Sequence, residues 1–176
     1  MPVFTVIEHA ERAAPAATWT SGTFATTYDH LYIVMSMRTD TGTSYSDSTT
    51  WQFNGDTGAN YSMRDLQTST ATPSKYRLTG STFIGYPMLP GPSALADTFG
   101  ATTLWIPNYA NTTNFKSIFF SSTAPNASAT NSQWALKLTA GMWSSTAALT
   151  SFSMGINGTH NFVQYSNYTV YGVTGA

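Results

Sequence analysis

Cysteine is absent from the 176 residues, which excludes disulfides, thiolate metal sites and a cysteine nucleophile. Charge is nearly as scarce: 7 Lys+Arg and 8 Asp+Glu make up 9% of the chain, against about 25% in an ordinary soluble domain. The basic residues are scattered and the net charge is −1, so no electrostatic footprint for nucleic acid or an anionic membrane is present. No apolar run approaches the roughly 18 residues that a membrane-spanning helix needs. The opening stretch, Met1-Pro2-Val3-Phe4-Thr5-Val6-Ile7-Glu8-His9, has neither a basic n-region nor an apolar h-region, so no secretory leader is expected. The last acid is Asp97; residues 98–176 contain Lys116, Lys137 and His160 but no carboxylate. Carboxylate chemistry would have to come from the first half.

Hydroxyls and amides supply the polarity instead, with 30 Thr, 20 Ser, 10 Asn and 4 Gln. Aromatics at 14% provide ample apolar surface to bury, so the chain is expected to fold as one domain. Period-two alternation dominates, the mark of a pleated strand with one face buried. In Leu31-Tyr32-Ile33-Val34-Met35-Ser36-Met37-Arg38 the odd positions are apolar, and in Trp134-Ala135-Leu136-Lys137-Leu138-Thr139-Ala140 one side carries Trp134, Leu136 and Leu138. Similar patterns fall at 115–121, 151–156 and 167–173, with further strands expected at 4–7, 50–53, 61–66, 75–78, 83–86 and 102–106. Helical signal is confined to a short turn expected over Glu8 to Ala14 and another at Ser93 to Asp97. The Ser/Thr-rich pieces Thr39 to Thr50 and Ser121 to Asn131 read as surface loops. The pattern predicts an all-β protein, an antiparallel β-sandwich, jelly-roll-like, of about ten short strands. Residues 18–176 would form the sandwich and 1–17 an N-terminal arm or anchoring segment.

Catalysis needs a base within reach of its target, and the three histidines offer little. His9 lies between Glu8 and Glu11 on a polar segment, His30 follows Asp29 at the start of a strand, and His160 stands far from any acid. No Gly-x-Ser-x-Gly, His-Glu-x-x-His or phosphate-binding glycine motif occurs, so no enzymatic activity and no cofactor are expected. Asn54-Gly55-Asp56-Thr57-Gly58-Ala59-Asn60 has the oxygen spacing of a cation loop but a single carboxylate, and reads as a hairpin turn. Five Asn-x-Ser/Thr sequons occur, at Asn60, Asn111, Asn126, Asn157 and Asn167; in a chain this rich in Ser and Thr, chance supplies about three. Trp51, Tyr61, Trp105, Tyr109, Trp143 and Tyr165 are candidates for a sugar-binding face or a subunit contact, against the competing reading that they fill the core.

Trp51-Gln52-Phe53-Asn54-Gly55-Asp56-Thr57-Gly58-Ala59-Asn60-Tyr61-Ser62 resembles an RFNGDTGxNYS block of small all-β structural proteins of tailed bacteriophages. Four further blocks match the same pattern in the same order: 28–33 (YDHLYI), 107–116 (PNYANTTNFK), 143–152 (WSSTAALTSF) and 161–173 (NFVQYSNYTVYGV). The resemblance runs from about Thr18 to Val173 and implies a virion surface module without enzymatic role, assembled in the bacterial host cytoplasm. Decoration, fibre and collar components share it. The leading expectation is a capsid decoration or cement protein binding the major capsid protein or other virion subunits, with a homotrimer favoured because closed symmetry leaves no open sheet edge. Phe4, Glu8, Glu11 and Arg12 are the candidate assembly contacts. The alternative is a tail-fibre or adhesin module that binds a host-surface glycan.

Overall fold

A computed structural model describes residues 1–40, 46–68, 73–126 and 135–175, without the side chains of Ser46 and Tyr86. Trp134, and the parts of the two Ser/Thr-rich stretches at 41–45 and 127–131, lie outside the described residues. The described chain has twelve strands and no helix. They are β1 (Val3–Glu11), β2 (Thr18–Thr20), β3 (His30–Met37), β4 (Ser46–Phe53), β5 (Tyr61–Thr68), β6 (Ser74–Ser81), β7 (Ile84–Pro90), β8 (Gly100–Pro107), β9 (Lys116–Ala124), β10 (Ala135–Trp143), β11 (Phe152–Ile156) and β12 (Asn167–Thr174).

They form an eight-stranded sheet, in the order β1-β12-β3-β8-β9-β10-β5-β6, and a four-stranded sheet, β2-β11-β4-β7, with every pair antiparallel. The chain is an antiparallel β-sandwich, as expected. Its division into eight and four strands differs from the even split of an eight-stranded jelly roll. The core lies where the smaller sheet covers the larger: Trp51 of β4 packs its ring 5.5 Å from Phe120 of β9, and Trp19 of β2 lies 4.8 Å from Tyr168 of β12. Leu31, Ile33, Met35 and Met37 point inward from β3, in the phase their alternation predicts. Four strands cannot cover eight, so the outermost strands overhang. Every residue of β6 is exposed or only partly buried, and Val3 to Val6 of β1 are exposed on both sides.

Residues 1–17, expected as an N-terminal arm or anchoring segment, include β1, which pairs with β12 from Val3 to Glu11 as the margin of the larger sheet. Two expectations are corrected. The helical turn expected from Glu8 is strand as far as Glu11, since four ladder pairs with β12 satisfy backbone groups that a single helical turn would leave unpaired. The stretch from Ser121 is not surface loop at its start: Ser121 to Ala124 complete β9, with Ser122 and Ala124 buried.

Candidate functional site

Residues 51–62, 107–116 and 143–152 meet at one end of the sandwich, where their polar groups bond to one another. Asn54 and Gly55, both with positive φ, form the tight turn closed by the Asp56 amide donating to the Phe53 carbonyl at 2.9 Å, which is the geometry Asn-Gly favours. The expected hairpin does not form. β4 belongs to the smaller sheet and β5 to the larger, so residues 54–60 carry the chain from one sheet to the other. Asp56 fastens this corner: its carboxylate accepts from Trp143 Nε1 at 2.7 Å, the Gly58 amide at 2.8 Å and Asn60 Nδ2 at 2.9 Å. The Trp143 hydrogen bond is the main reason its pKa lies below the usual carboxylate value. Asn54 Oδ1 accepts from the amides of Thr150 and Ser151, and the Leu149 amide donates to the Tyr109 carbonyl. Lys116, buried, donates to the carbonyls of Asn114 and Thr146. The loop with cation-like spacing is thus a covalent corner held by its own hydrogen bonds.

The candidate contact residues separate sharply. Trp51, Tyr61, Tyr109 and Trp143 are each at most 2% exposed, so they form core and corner and present no face to a sugar or a neighbouring subunit. Large aromatic rings at inward positions remove more apolar surface from water than any other choice. Trp105 is partly exposed on β8 and Tyr165 is exposed. Among the N-terminal candidates, Glu8 is used internally, accepting from the Tyr168 hydroxyl and from the Gly22 amide at 3.1 Å. Arg12 lies over the Trp19 ring at 4.4 Å and donates to the Thr18 carbonyl. Both tie β1 to the sandwich, which leaves Phe4 and Glu11 facing solvent. Among the described residues no three His, Asp or Glu side chains gather as metal ligands.

The strongest functional signal lies on the solvent face of the larger sheet, where alternation runs backwards. On β10 the inward positions are Ala135, Lys137, Thr139 and Trp143, while Leu136, Leu138, Ala140 and Met142 face water. The phase is set from the other end of the strand. Trp143 belongs in the corner beside Tyr61, and at Gly141 even a methyl group would stand 2.2 Å from Ile84 of the smaller sheet. With those positions inward, Lys137 is carried inside, where it meets Asp65 at 2.7 Å. Burial drives the Lys137 pKa down and Asp65 offsets part of that. The leucines are left outside.

Neighbouring strands extend the apolar surface. One register line crosses all eight strands, from Val6 through Tyr171, Tyr32, Trp105, Phe119 and Ala140 to Arg64 and Arg77. None of these eight is buried. Phe4 caps the first end, its ring edge-on to Tyr32 at 6.0 Å and to Tyr171 at 6.2 Å. Toward the far end, a shallow depression of about 350 Å³ is lined by Leu66, Phe119, Leu138 and Ala140 with Arg64 and Lys75. A second, of about 330 Å³, lies between Arg64, Lys75, Tyr76 and Arg77. The solvent face of an antiparallel sandwich is normally its polar face, and a contiguous apolar one marks a surface that binds.

Comparison with known proteins adds no relative. The chain matches no family model, no curated protein and no solved structure. Function must therefore be read from the geometry of this face. Its signal was present in the sequence, in the apolar side of residues 134–140, but alternation alone assigns such a side to the core. The Trp143–Asp56 and Gly141–Ile84 contacts that reverse the assignment join residues far apart in the chain.

Proposed function

We propose that the chain is a structural subunit of a bacteriophage virion, most specifically a capsid decoration or cement protein, which seats the solvent face of its eight-stranded sheet on the major capsid protein or an adjoining shell subunit. The observation that carries this reading is the inverted strand β10, with Leu136 and Leu138 exposed by 45% and 37% and Lys137 enclosed. A free-standing domain gains nothing from that arrangement, whereas an assembled one buries the leucines, Met142 and Phe119 against a partner. The resemblance of five sequence blocks to phage structural proteins supplies the particle.

The ring geometry favours a protein partner over a glycan. Pyranose recognition uses an open aromatic face, but the rings on this face are set edge-on or tilted, at 85° for Phe4 and Tyr32 and 58° for Tyr32 and Trp105. They pack against one another as a small surface core, and four of the six aromatic candidates for glycan contact are buried. The test is co-sedimentation of the purified chain with undecorated capsid shells, comparing wild type with Leu138→Asp and Phe119→Asp. Both side chains are exposed, so folding is expected to survive while occupancy on shells falls at least about tenfold. Undiminished occupancy in both variants, or a wild type that binds a glycan array and ignores shells, would overturn the proposal.

A further inference from the structure

The charges that remain on the surface are arranged at opposite margins of one sheet. Of the seven basic residues, Lys116 and Lys137 are buried, Arg12 lies on Trp19, and Arg38 donates to the carbonyls of Leu95 and Thr98. The other three, Arg64, Lys75 and Arg77, are exposed on the solvent side of β5 and β6. Arg64 and Arg77 stand directly opposite each other in the ladder, a like-charge pairing that destabilises a sheet. Among the described residues no acid faces them, since the nearby Asp65 points inward to Lys137. At the other margin, β1 presents exposed Phe4, Val6 and Glu11. Glu11 lies on the solvent side, because the irregularity between Val6 and Glu8 turns Glu8 and Ala10 inward and leaves His9 and Glu11 outward.

We propose that copies of this chain join head to tail, β6 of one beside β1 of the next, so that the larger sheet continues across the junction and Glu11 of one copy meets the Arg77–Lys75 side of its neighbour. Strand polarity permits it directly. Eight strands joined by seven antiparallel pairings leave β1 and β6 running in opposite directions. A second copy placed alongside with its faces in the same sense therefore makes an antiparallel β6–β1 ladder, the more stable kind. Among the described residues both margins carry backbone groups without a partner strand, a ready template for pairing. Electrostatics then choose among the pairings. β6 against β6 would stack Lys75 and Arg77 on their own images, and β1 against β1 would leave the cations unmatched. The β6–β1 junction alone relieves the Arg64–Arg77 repulsion. Being heterologous, this contact closes into a ring or runs on as a filament.

This inference does not rest on the virion reading and is tested without any particle. Sedimentation of the full chain over a concentration series is expected to show reversible association that weakens with salt. Glu11→Arg and Arg77→Glu should each weaken it by about tenfold or more, and the chain carrying both should recover most of the loss, because the swapped charges meet across the junction. Lys75→Glu, at an exposed site, provides a second variant if either of these is poorly folded by circular dichroism. A wild type that stays monomeric throughout, or a double swap whose losses add, would overturn the proposal. So would titration of a monomeric chain with inorganic phosphate that shifts the Arg64 and Arg77 guanidinium signals, since the cluster would then be a small-anion site.

Discussion

Substituting Asp56 by Ala tests the reading of residues 54–60 as a corner rather than a ligand loop. The carboxylate accepts from three donors, and the loss differs among them. Gly58 and Asn60 are exposed, so their N–H groups exchange the carboxylate for water at little cost. Trp143 is 2% exposed, and its indole N–H would be left without an acceptor. A hydrogen bond to a charged acceptor contributes about 1.5–3 kcal/mol, so the expected destabilisation is about 2 kcal/mol. For a chain of this length that lowers Tm by about 4–8 °C. Asp56→Asn keeps one acceptor oxygen and should cost about half as much. The pH dependence is set by the lowered folded-state pKa. Protonation is disfavoured in the native state, so the contribution is complete above the unfolded value of about 3.9 and is lost as pH falls through the lower folded value. The acid limb of the wild-type curve should therefore flatten in Asp56→Asn. Urea denaturation followed by tryptophan fluorescence and circular dichroism measures all of this. A double-mutant cycle with Trp143→Phe should give a coupling of at least about 1 kcal/mol. Asp56→Ala within about 0.5 kcal/mol of wild type, or strict additivity in the cycle, would refute the corner assignment.

Three further outcomes are expected. A Cβ on Gly172 would stand 2.4 Å from the Tyr28 ring, so Gly172→Ala should cost about 1–3 kcal/mol in urea midpoints through overpacking, and Tyr28→Ala in the same chain should relieve part of it. Lys137→Ala leaves the Asp65 carboxylate buried and unpaired and should cost about 3–5 kcal/mol, whereas Lys137→Met with Asp65→Leu should return to within about 1 kcal/mol of wild type by the same measurement. Trp51→Ala should cost about 3–5 kcal/mol, and Trp105→Ala, on the solvent face, at most about 1 kcal/mol. Equal losses for the two tryptophans would contradict their assignment to core and surface.

The all-β architecture and most of its strands are legible in the sequence because period two is a local property. Leu31 to Met37 alternate in the sequence as they do in the sheet, and β5, β8, β11 and β12 begin within two residues of the expected positions. What was not legible depends on long-range fit. β2 has three residues, too few to alternate, and exists because Thr18 to Thr20 pair with β11. The N-terminal charges suggested an anchoring arm, yet Glu8 finds Tyr168 and Gly22, and Arg12 finds Trp19. Removing residues 1–17 would thus strip a strand from β12, so point changes at Glu11 separate folding from assembly more cleanly than a deletion. The face assignment of β10 is the sharpest case. Seven residues of alternation specify two sides, and the glycine under Ile84, together with Trp143 held in the corner by Asp56, decides which of them is inside.

That inversion also changes the meaning of the low charge. A chain with 15 charged residues cannot cover a whole surface with them, so their positions carry more information than their number. Four of the cations are held by the protein's own aromatic ring, carbonyls or buried carboxylate, and the three left over are grouped beside exposed leucines with two arginines face to face. Scattering those three over the surface would have spared the domain their mutual repulsion. Grouped on β5 and β6, with Glu11 at the opposite margin of the same sheet, they cost the isolated chain stability and favour the associated one. The effect has a sign that can be measured: Arg77→Gln should stabilise the monomer slightly in urea while weakening association in the centrifuge. A substitution that left both unchanged would mean that the cluster takes no part in assembly.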